Sequence, residues 1–338
     1  MSKNNPTSST DRKQDHIDLA FSAQTLANWQ DDRFYYEPAL SEHPKPEQLI
    51  PFNFGAKTLS FPLWVSSMTG GTAKARLINQ NLAKASREFG LGFGLGSCRK
   101  VITHPECFPD FDMREIIGSS LPFFANLGVA QIEEWLSQGK ADKIHYVIQQ
   151  LQADGLIIHL NPLQEFLQPE GDVIKEKPIH TIKRFLEQFE YPVIVKEVGQ
   201  GMGPASLKAL LELPLLAIEF GAFGGTNFSM LEIQRQDPAR AEELLPLTRI
   251  GHTAVEMVEY CNNLVDCTKV LCQHLIISGG IRSFLDGYYL IQKSKIPAIY
   301  GQASGFLLHA QEDYKDLQQY IRTQLRGLQL AHAFLKVK

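Results

Sequence analysis

Short apolar runs recur along the chain, each followed by a glycine-rich or polar turn and, in most cases, by a helical pattern. Eight of these runs show little alternation, which is typical of strands covered on both faces of a parallel sheet. They occupy residues 60–67, 91–96, 122–127, 156–160, 192–197, 215–220, 274–278 and 298–301. Between them, apolar residues three and four positions apart predict helices at 72–89, 179–189, 204–212 and 253–263.

Eight buried strands with intervening helices favour an α/β fold of the (β/α)8 or TIM-barrel type. An open, doubly wound sheet is the alternative. A length of 338 residues suits one barrel with an extension. We expect an N-terminal arm and cap at 1–55 and the barrel at 56–338. Long connections are predicted at 162–178 and at 222–251, the second of which carries the charged stretch EIQRQDPARAEE.

Composition narrows the choice of partners and compartment. The chain has 33 basic and 37 acidic side chains and a net charge of −4, which argues against nucleic acid as the main partner. No apolar run is long enough for a membrane span, and the polar start MSKNNPTSSTDRKQDH does not resemble a secretory signal. The five cysteines form no C-x-x-C pair, so we expect reduced thiols in a cytoplasmic protein.

Polar and glycine residues follow nearly every predicted strand, and barrel active sites lie at the carboxyl ends of the strands. Gly224, Gly225 and Thr226 follow the sixth strand, and Gly279 and Gly280 follow the seventh. Either pair of glycines alone is explained by a tight turn. Together, on adjacent late strands, they favour a phosphate site.

The side chains at the ends of the fourth and fifth strands could each have a ligand-binding role or a purely structural one. Lys196 could face a cavity and stabilise a negative ligand, or it could pair with Glu197 at the surface. His159 and Asn161 lie on the same side of their strand, and Glu165 beyond them could hold Mg²⁺ or be solvated.

Several other basic side chains and one thiol could likewise have either a functional or a structural role. Arg12, Lys13 and His16 belong to a charged arm that needs no ligand. Arg99 beside Ser97 could bind a diphosphate or form a surface ion pair. Because no base is visible near Cys98, we interpret this residue as a packing residue.

Several motifs resemble those of a known family, the type 2 isopentenyl diphosphate isomerases, and their order matches it from residue 11 to about 305. The motifs are R-K-x-x-H-I at 12–17, S-x-M-T-G-G at 66–71, G-x-G-S-x-R at 94–99, A-N-L-G at 125–128, H-x-N-P-L-Q-E at 159–165, V-K-E-V-G-x-G at 195–201, G-G-T at 224–226 and S-G-G-I-R at 278–282.

The resemblance implies an enzyme that interconverts isopentenyl and dimethylallyl diphosphate. It implies reduced FMN as the acid/base, NADPH as the reductant, Mg²⁺ on the diphosphate, and a homotetramer or homo-octamer. An alkene offers no handle except protonation, which suits a strong and well-placed acid in a dry pocket.

The resemblance also implies residue roles. Gln164 would assist proton transfer at the alkene, and Glu165 would bind Mg²⁺. The substrate would be held by Arg12, Lys13, His16, Ser97, Arg99, His159, Asn161 and Gln164. FMN would be held by Ser67, Met68, Thr69, Ser97, Asn126, Lys196, Thr226, Gly279, Gly280, Ala303 and Ser304.

The sixth strand departs from the family pattern. Glu219 stands where the family usually has aspartate, and Asn227 and Phe228 replace Ser–Trp. The main rival is an FMN-dependent 2-hydroxy acid oxidase, whose chemistry needs a histidine base followed closely by an arginine. Residues 219–228 contain neither. A nucleotide dehydrogenase with a catalytic cysteine, and a binding protein that has lost catalysis, are more distant alternatives.

Overall fold

Eight parallel strands close into a barrel, which confirms the fold class and excludes the open sheet. The computed structural model describes residues 9–68, 70–235 and 242–338. The barrel strands are β4 Leu63–Val65, β5 Gly92–Gly94, β6 Phe123–Gly128, β7 Gly155–Leu160, β8 Val193–Glu197, β9 Ala217–Glu219, β10 His274–Ser278 and β11 Ala298–Gln302. They follow one another around the barrel in chain order, and β11 pairs back to β4. Every predicted strand overlaps one of them.

Helices surround the barrel, and the four predicted ones are confirmed to within a few residues at their ends. The helices are α1 Ser9–Leu19, α2 Ala73–Phe89, α3 Lys100–Thr103, α4 Arg114–Ile117, α5 Val129–Ser137, α6 Asp142–Gln150, α7 Pro162–Leu167, α8 Pro178–Gln188, α9 Pro204–Leu211, α10 Phe228–Gln234, α11 Ala254–Val265, α12 Phe284–Lys293, α13 Ser304–Ala310 and α14 Tyr314–Phe334. None of the described helices combines the length and the apolar composition of a membrane span.

The barrel interior consists of an apolar layer beneath a polar one. Side chains along a strand alternate between its two faces, so residues two positions apart share a face. The apolar layer is Trp64, Phe124, Ile157, Ile194, Ala217, Ile276 and Ile299. Two residues further toward the carboxyl end of the same strands lie Ser66, Asn126, His159, Lys196, Glu219, Ser278 and Gly301. We call this second set the polar layer.

A β-hairpin covers the amino-terminal mouth of the barrel. Its strands are β2 Phe52–Phe54 and β3 Lys57–Leu59, paired antiparallel. Phe54 is 2% exposed and packs on Trp64 and His274, with ring centroids 5.3 and 5.2 Å away. The barrel is thereby closed at the mouth opposite the polar layer. The proposed boundary between residues 55 and 56 falls in the turn of this hairpin.

A second small sheet joins the segment before the barrel to the segment that follows it. Strand β1 Phe34–Tyr36 pairs antiparallel with β12 Leu335–Val337, the last strand of the chain. Residues 12–32, which precede this sheet, are all exposed.

The two long connections contain short helices that periodicity could not reveal. Helix α7 lies in the connection predicted at 162–178, and α10 lies in the one at 222–251. Each spans only six or seven residues, which is under two turns and too short for a repeating apolar pattern. The two helices pack against each other above the polar layer.

Gly90, at the end of α2, lies in close contact with Ser60, and Gly139, after α5, provides a comparison without such a contact. Gly90 and Gly139 share a φ of +66°, but a Cβ on Gly90 would lie 2.0 Å from Oγ of Ser60, whereas one on Gly139 would meet nothing within 4 Å. Both Gly→Ala variants should lose about 1 kcal/mol from the left-handed backbone. Gly90→Ala should lose roughly 1–3 kcal/mol more from overpacking. Urea unfolding midpoints measure the difference, and equal losses would contradict the close contact.

Candidate active site

Two adjoining clefts open at the carboxyl-terminal mouth of the barrel, above the polar layer. The first, here called the glycine cleft, lies between the ends of β4 and β8–β11. The second, the carboxylate cleft, lies beside it at the ends of β4–β8. Ser67, Met68, Lys196, Val198 and Phe228 line both clefts, so a ligand in one lies beside a ligand in the other.

The structure brings most of the sequence-predicted residues to these clefts. From the predicted FMN set, the glycine cleft contains Ser67, Met68, Lys196, Thr226, Gly279, Gly280, Ala303 and Ser304. The carboxylate cleft contains Ser97, Arg99, Asn126, His159, Asn161, Gln164 and Glu165. Thr69 lies outside the described residues.

The predicted residues of the arm are placed elsewhere. Arg12, Lys13 and His16 are on α1, where they are exposed and line neither cleft.

The glycines after the sixth and seventh barrel strands form tight turns, and their backbone also borders the glycine cleft. The tight-turn interpretation and the phosphate-site interpretation are therefore compatible. Gly224, Gly279 and Gly280 have φ values of +113°, +87° and +72°, which L side chains rarely adopt. A Cβ on Gly279 would lie 2.1 Å from the carbonyl oxygen of Ala222. The turns therefore require glycine, and they also leave backbone at the surface of the cleft.

Lys196 faces the barrel interior rather than a surface partner. Its side chain is 7% exposed, and Nζ donates to the backbone oxygen of Glu197 at 2.7 Å. The Glu197 carboxylate is engaged by the N–H groups of Gly199, Gln200 and Gly201, at 2.7–2.8 Å. The side-chain pairing considered for Lys196 and Glu197 is not formed, and the lysine charge is directed at the clefts.

His159 is held in a defined orientation and stays neutral. The Asn126 amide donates to the backbone oxygen of Leu95 at 2.9 Å, so its Oδ1 is left to accept from His159 Nδ1 at 2.7 Å. Burial lowers the pKa of His159 to about 3, and the nearby charge of Lys196 acts in the same direction. The neutral ring therefore carries its proton on Nδ1 and presents a lone pair on Nε2.

Asn161 organises the residues that begin α7. Its Nδ2 donates to Oε1 of Glu165 at 2.8 Å and to Oε1 of Gln164 at 3.2 Å. Its buried Oδ1 has no hydrogen-bond partner among the residues described. Pro162 stands at the start of the helix, where its missing N–H costs nothing. An acceptor oxygen next to a carboxylate is a donor set suited to a hard cation.

The segment after α7 folds back onto the same residues. Asp172 donates its backbone N–H to Glu165 Oε2 at 2.8 Å. Its carboxylate accepts from Gln131 and pairs with Arg99 at 2.6 Å. Arg99 and Glu165, two of the sequence-predicted site residues, are thus both tied to residue 172.

Glu232 is a site residue that sequence reasoning missed. It is 3% exposed on α10, accepts from Gln164 Nε2 at 3.1 Å and pairs with Arg235 at 2.5 Å. The sequence shows it as the first residue of the charged stretch EIQRQDPARAEE, which we interpreted as a long connection. The available signal was its spacing from Phe228: residues four positions apart lie on the same face of a helix, and Phe228 lines both clefts.

Cys98, at this end of the barrel, is fully buried. Burial raises the pKa of Cys98 to about 12, so the thiol stays protonated. This agrees with its interpretation as a packing residue. All five cysteines are free.

Curated relatives share both the motifs and most of the length of the chain. The isopentenyl-diphosphate delta-isomerase of Rickettsia africae is 30% identical over 95% of this chain and 92% of its own. That of Deinococcus radiodurans is 37% identical over 73% of this chain and 70% of its own. The chain belongs to the isopentenyl-diphosphate delta-isomerase family. This membership confirms the resemblance inferred from the motifs, although no protein-family model matches the chain.

Two solved structures share the fold of this chain, although their sequences are only 12% identical to it. A flavocytochrome b2 double variant with sulfite bound has a TM-score of 0.59 at 12% identity, covering 95% of this chain and 82% of its own. A mandelate oxidase variant with a C4a-hydroxy FMN adduct has a TM-score of 0.56 at 12% identity, covering 91% and 88%.

Neutral His159 predicts a stability that depends on pH. Between pH 6.5 and 3 the unfolded chain binds a proton that the folded site rejects, so stability is complete above pH 6.5 and falls below it. At pH 5 the loss should be about 2 kcal/mol, at 1.4 kcal/mol per pH unit. Urea unfolding at pH 7.5 and 5 should show this component in the native protein but not in His159→Gln.

His180→Gln, at an exposed position of α8, is the matched control and should behave as the native protein. If the native protein and the His159→Gln variant lose stability in parallel, His159 is protonated in the folded state.

Proposed function

We propose that this protein interconverts isopentenyl and dimethylallyl diphosphate, with reduced FMN in the glycine cleft and the Mg²⁺-diphosphate substrate in the carboxylate cleft. The observation that carries the proposal is the shared wall of the two clefts, in which Lys196 lines both, while Gln164 lines the carboxylate cleft beside it. Membership of the isomerase family supports the same reaction.

The residues of the glycine cleft fit FMN. The buried hydroxyls of Ser66 and Ser67 and both carboxyl oxygens of Glu219 have no hydrogen-bond partner among the described residues, although buried polar groups normally have one. The backbone of Gly225, Gly279 and Gly280 offers a close approach for a phosphate. When bound and reduced, for which NADPH is the proposed reductant, FMN would supply the acid/base for the alkene.

Charge explains why the carboxylate cleft needs a metal. Its described lining contains three acidic side chains, Glu165, Glu170 and Asp172, and two basic ones, Arg99 and Lys196. A diphosphate adds further negative charge, so binding requires an added cation. No group of three His, Cys, Asp or Glu side chains suited to a metal occurs in the described ranges. Mg²⁺ held by one protein carboxylate and by substrate phosphates, as Mg²⁺ often is, fits Glu165.

The protein side of the proton transfer centres on Gln164. Its amide is held at both ends, with Oε1 accepting from Asn161 and Nε2 donating to Glu232. Glu232 is fixed in turn by Arg235. A side chain held in this way loses little entropy when it positions a substrate, which favours proton transfer at a defined carbon. Glu232 is the positioning group for Gln164.

Arg12, Lys13 and His16 would add positive charge to the diphosphate from the arm, which requires α1 to approach the carboxylate cleft. Assembly into a homotetramer or homo-octamer and a cytoplasmic location remain predictions from the sequence.

The 2-hydroxy acid oxidase alternative shares the fold but not the base. The turn after β9, at residues 219–228, contains no histidine or arginine, so the proton acceptor which that chemistry needs is absent from this segment. His159 lies on β7, and its lone pair is on a ring that is already oriented by Asn126.

An anaerobic assay with isopentenyl diphosphate, FMN, Mg²⁺ and NADPH or dithionite tests the reaction. Dimethylallyl diphosphate, identified by mass and NMR, should form only while the flavin is reduced. Product formation that does not depend on reduction would contradict the role of reduced FMN. A bound, reducible flavin without product would favour an oxidoreductase or a binding protein.

Variants at three positions should separate binding from turnover. Gln164→Asn should keep FMN and lower kcat by about 10²-fold, the lower range for acid–base assistance. Glu232→Gln should lower kcat by about tenfold because it weakens the hold on Gln164. Glu165→Gln should raise the Mg²⁺ concentration for half-maximal rate at least about tenfold.

Glu187→Gln, at an exposed position of α8, is the matched control and should change none of these quantities. If Glu165→Gln leaves the Mg²⁺ requirement unchanged, the metal is not bound at this residue.

A further inference from the structure

Glu219 is a buried carboxyl group whose role the reaction does not yet explain. It ends β9 inside the barrel, and its side chain is 0% exposed. Neither carboxyl oxygen has a partner in hydrogen-bond geometry among the residues described, although the hydroxyls of Ser66 and Ser278 lie near enough to affect its pKa. An ionised carboxylate in this state would lose its hydration with little compensation, which is the costliest way to bury a polar side chain.

The charged and polar groups around Glu219 come from the two adjacent strands, β8 and β10, and from the end of β4. Lys196 is its register partner on β8, and Ser278 and Ser66 extend from β10 and β4. Lys196 Nζ donates to a backbone oxygen and not to Glu219. Burial raises the pKa of Glu219, while Lys196 and the two hydroxyls act in the opposite direction, and burial prevails. His159 is neutral and adds no charge.

The carboxyl group of Glu219 also faces the glycine cleft. Glu219 lines the glycine cleft together with Lys196, Ser66 and Ser278. A second buried glutamate shows the contrast, since Glu232 is nearly as buried but is bonded to Gln164 and Arg235. The unmatched hydrogen-bonding capacity of Glu219 therefore faces the ligand site.

We propose that Glu219 is a neutral carboxylic acid that donates a hydrogen bond to the heteroaromatic ring of the bound flavin from the floor of the glycine cleft. This inference rests on the proposed function, since FMN is its ligand. A neutral acid does not cancel the charge of Lys196. That charge stays available for the negative charge of a reduced flavin, while Glu219 contributes affinity and orientation. Glu219 is thus a binding and positioning residue.

Infrared spectra of the purified protein test the protonation state directly. At pH 7.5 the native-minus-Glu219→Gln difference should contain the C=O stretch of a protonated carboxylic acid, shifted in D₂O. Addition of FMN should move this band, because the acid then donates to the ring. Glu232→Gln is the matched control and should leave the band in place. A carboxylate stretch instead of the acid band would overturn the proposal.

Flavin affinity and potential give a second and independent readout. Glu219→Gln keeps a neutral donor, so it should change the relative affinity for oxidised and reduced FMN by less than tenfold, or about 30 mV for a two-electron couple. A larger rise in potential would show that the native residue is ionised and would overturn the proposal.

Glu219→Leu removes the donor and should bind FMN about tenfold more weakly than the native protein, about the value of one hydrogen bond. Equal affinity in the native protein and Glu219→Leu would overturn this inference and leave the FMN proposal intact. Failure of the native protein to bind FMN would remove both proposals. Circular dichroism and the urea midpoint check that each variant is folded.

Discussion

Because eight parallel strands close into a ring, every second side chain along each strand points into the barrel interior. In the lower layer those positions hold large apolar groups such as Trp64, Phe124 and Ile157, which pack into a dry floor. The polar layer stands on that floor, away from bulk water. Each polar group there must therefore bond to a neighbour or to a ligand, since an unmade hydrogen bond is expensive at low dielectric.

This requirement divides the polar layer into two parts. On the side of β6 and β7 the groups satisfy one another, because Asn126 joins His159 to the backbone of β5. On the side of β4 and β9, Ser66 and Glu219 have no partner among the described residues. The satisfied side is a rigid wall for the carboxylate cleft. The unsatisfied side has the pattern of a site that a polar cofactor completes.

The fold could be predicted because each strand is a short apolar run bounded by turn residues, a signal that tertiary packing does not override. From the residues alone, the site could be predicted only where side chains lie at the carboxyl end of a strand, as Lys196 and His159 do. Glu232 was missed because a seven-residue helix shows no periodicity and its charged neighbours resemble a solvated loop. Asp172 depends on where residues 168–176 fold back, which local pattern does not encode.

The same arrangement links anion binding to protonation. Lys196 lies in the polar layer with a buried charge, which favours a negative ligand above it and also opposes a proton on His159. A diphosphate in the carboxylate cleft would offset that charge and raise the affinity of His159 for a proton. By thermodynamic reciprocity, a proton on His159 would then strengthen diphosphate binding by the same factor. Nε2 of His159 is therefore a lone-pair acceptor, and an anion beside it would favour a proton on that nitrogen.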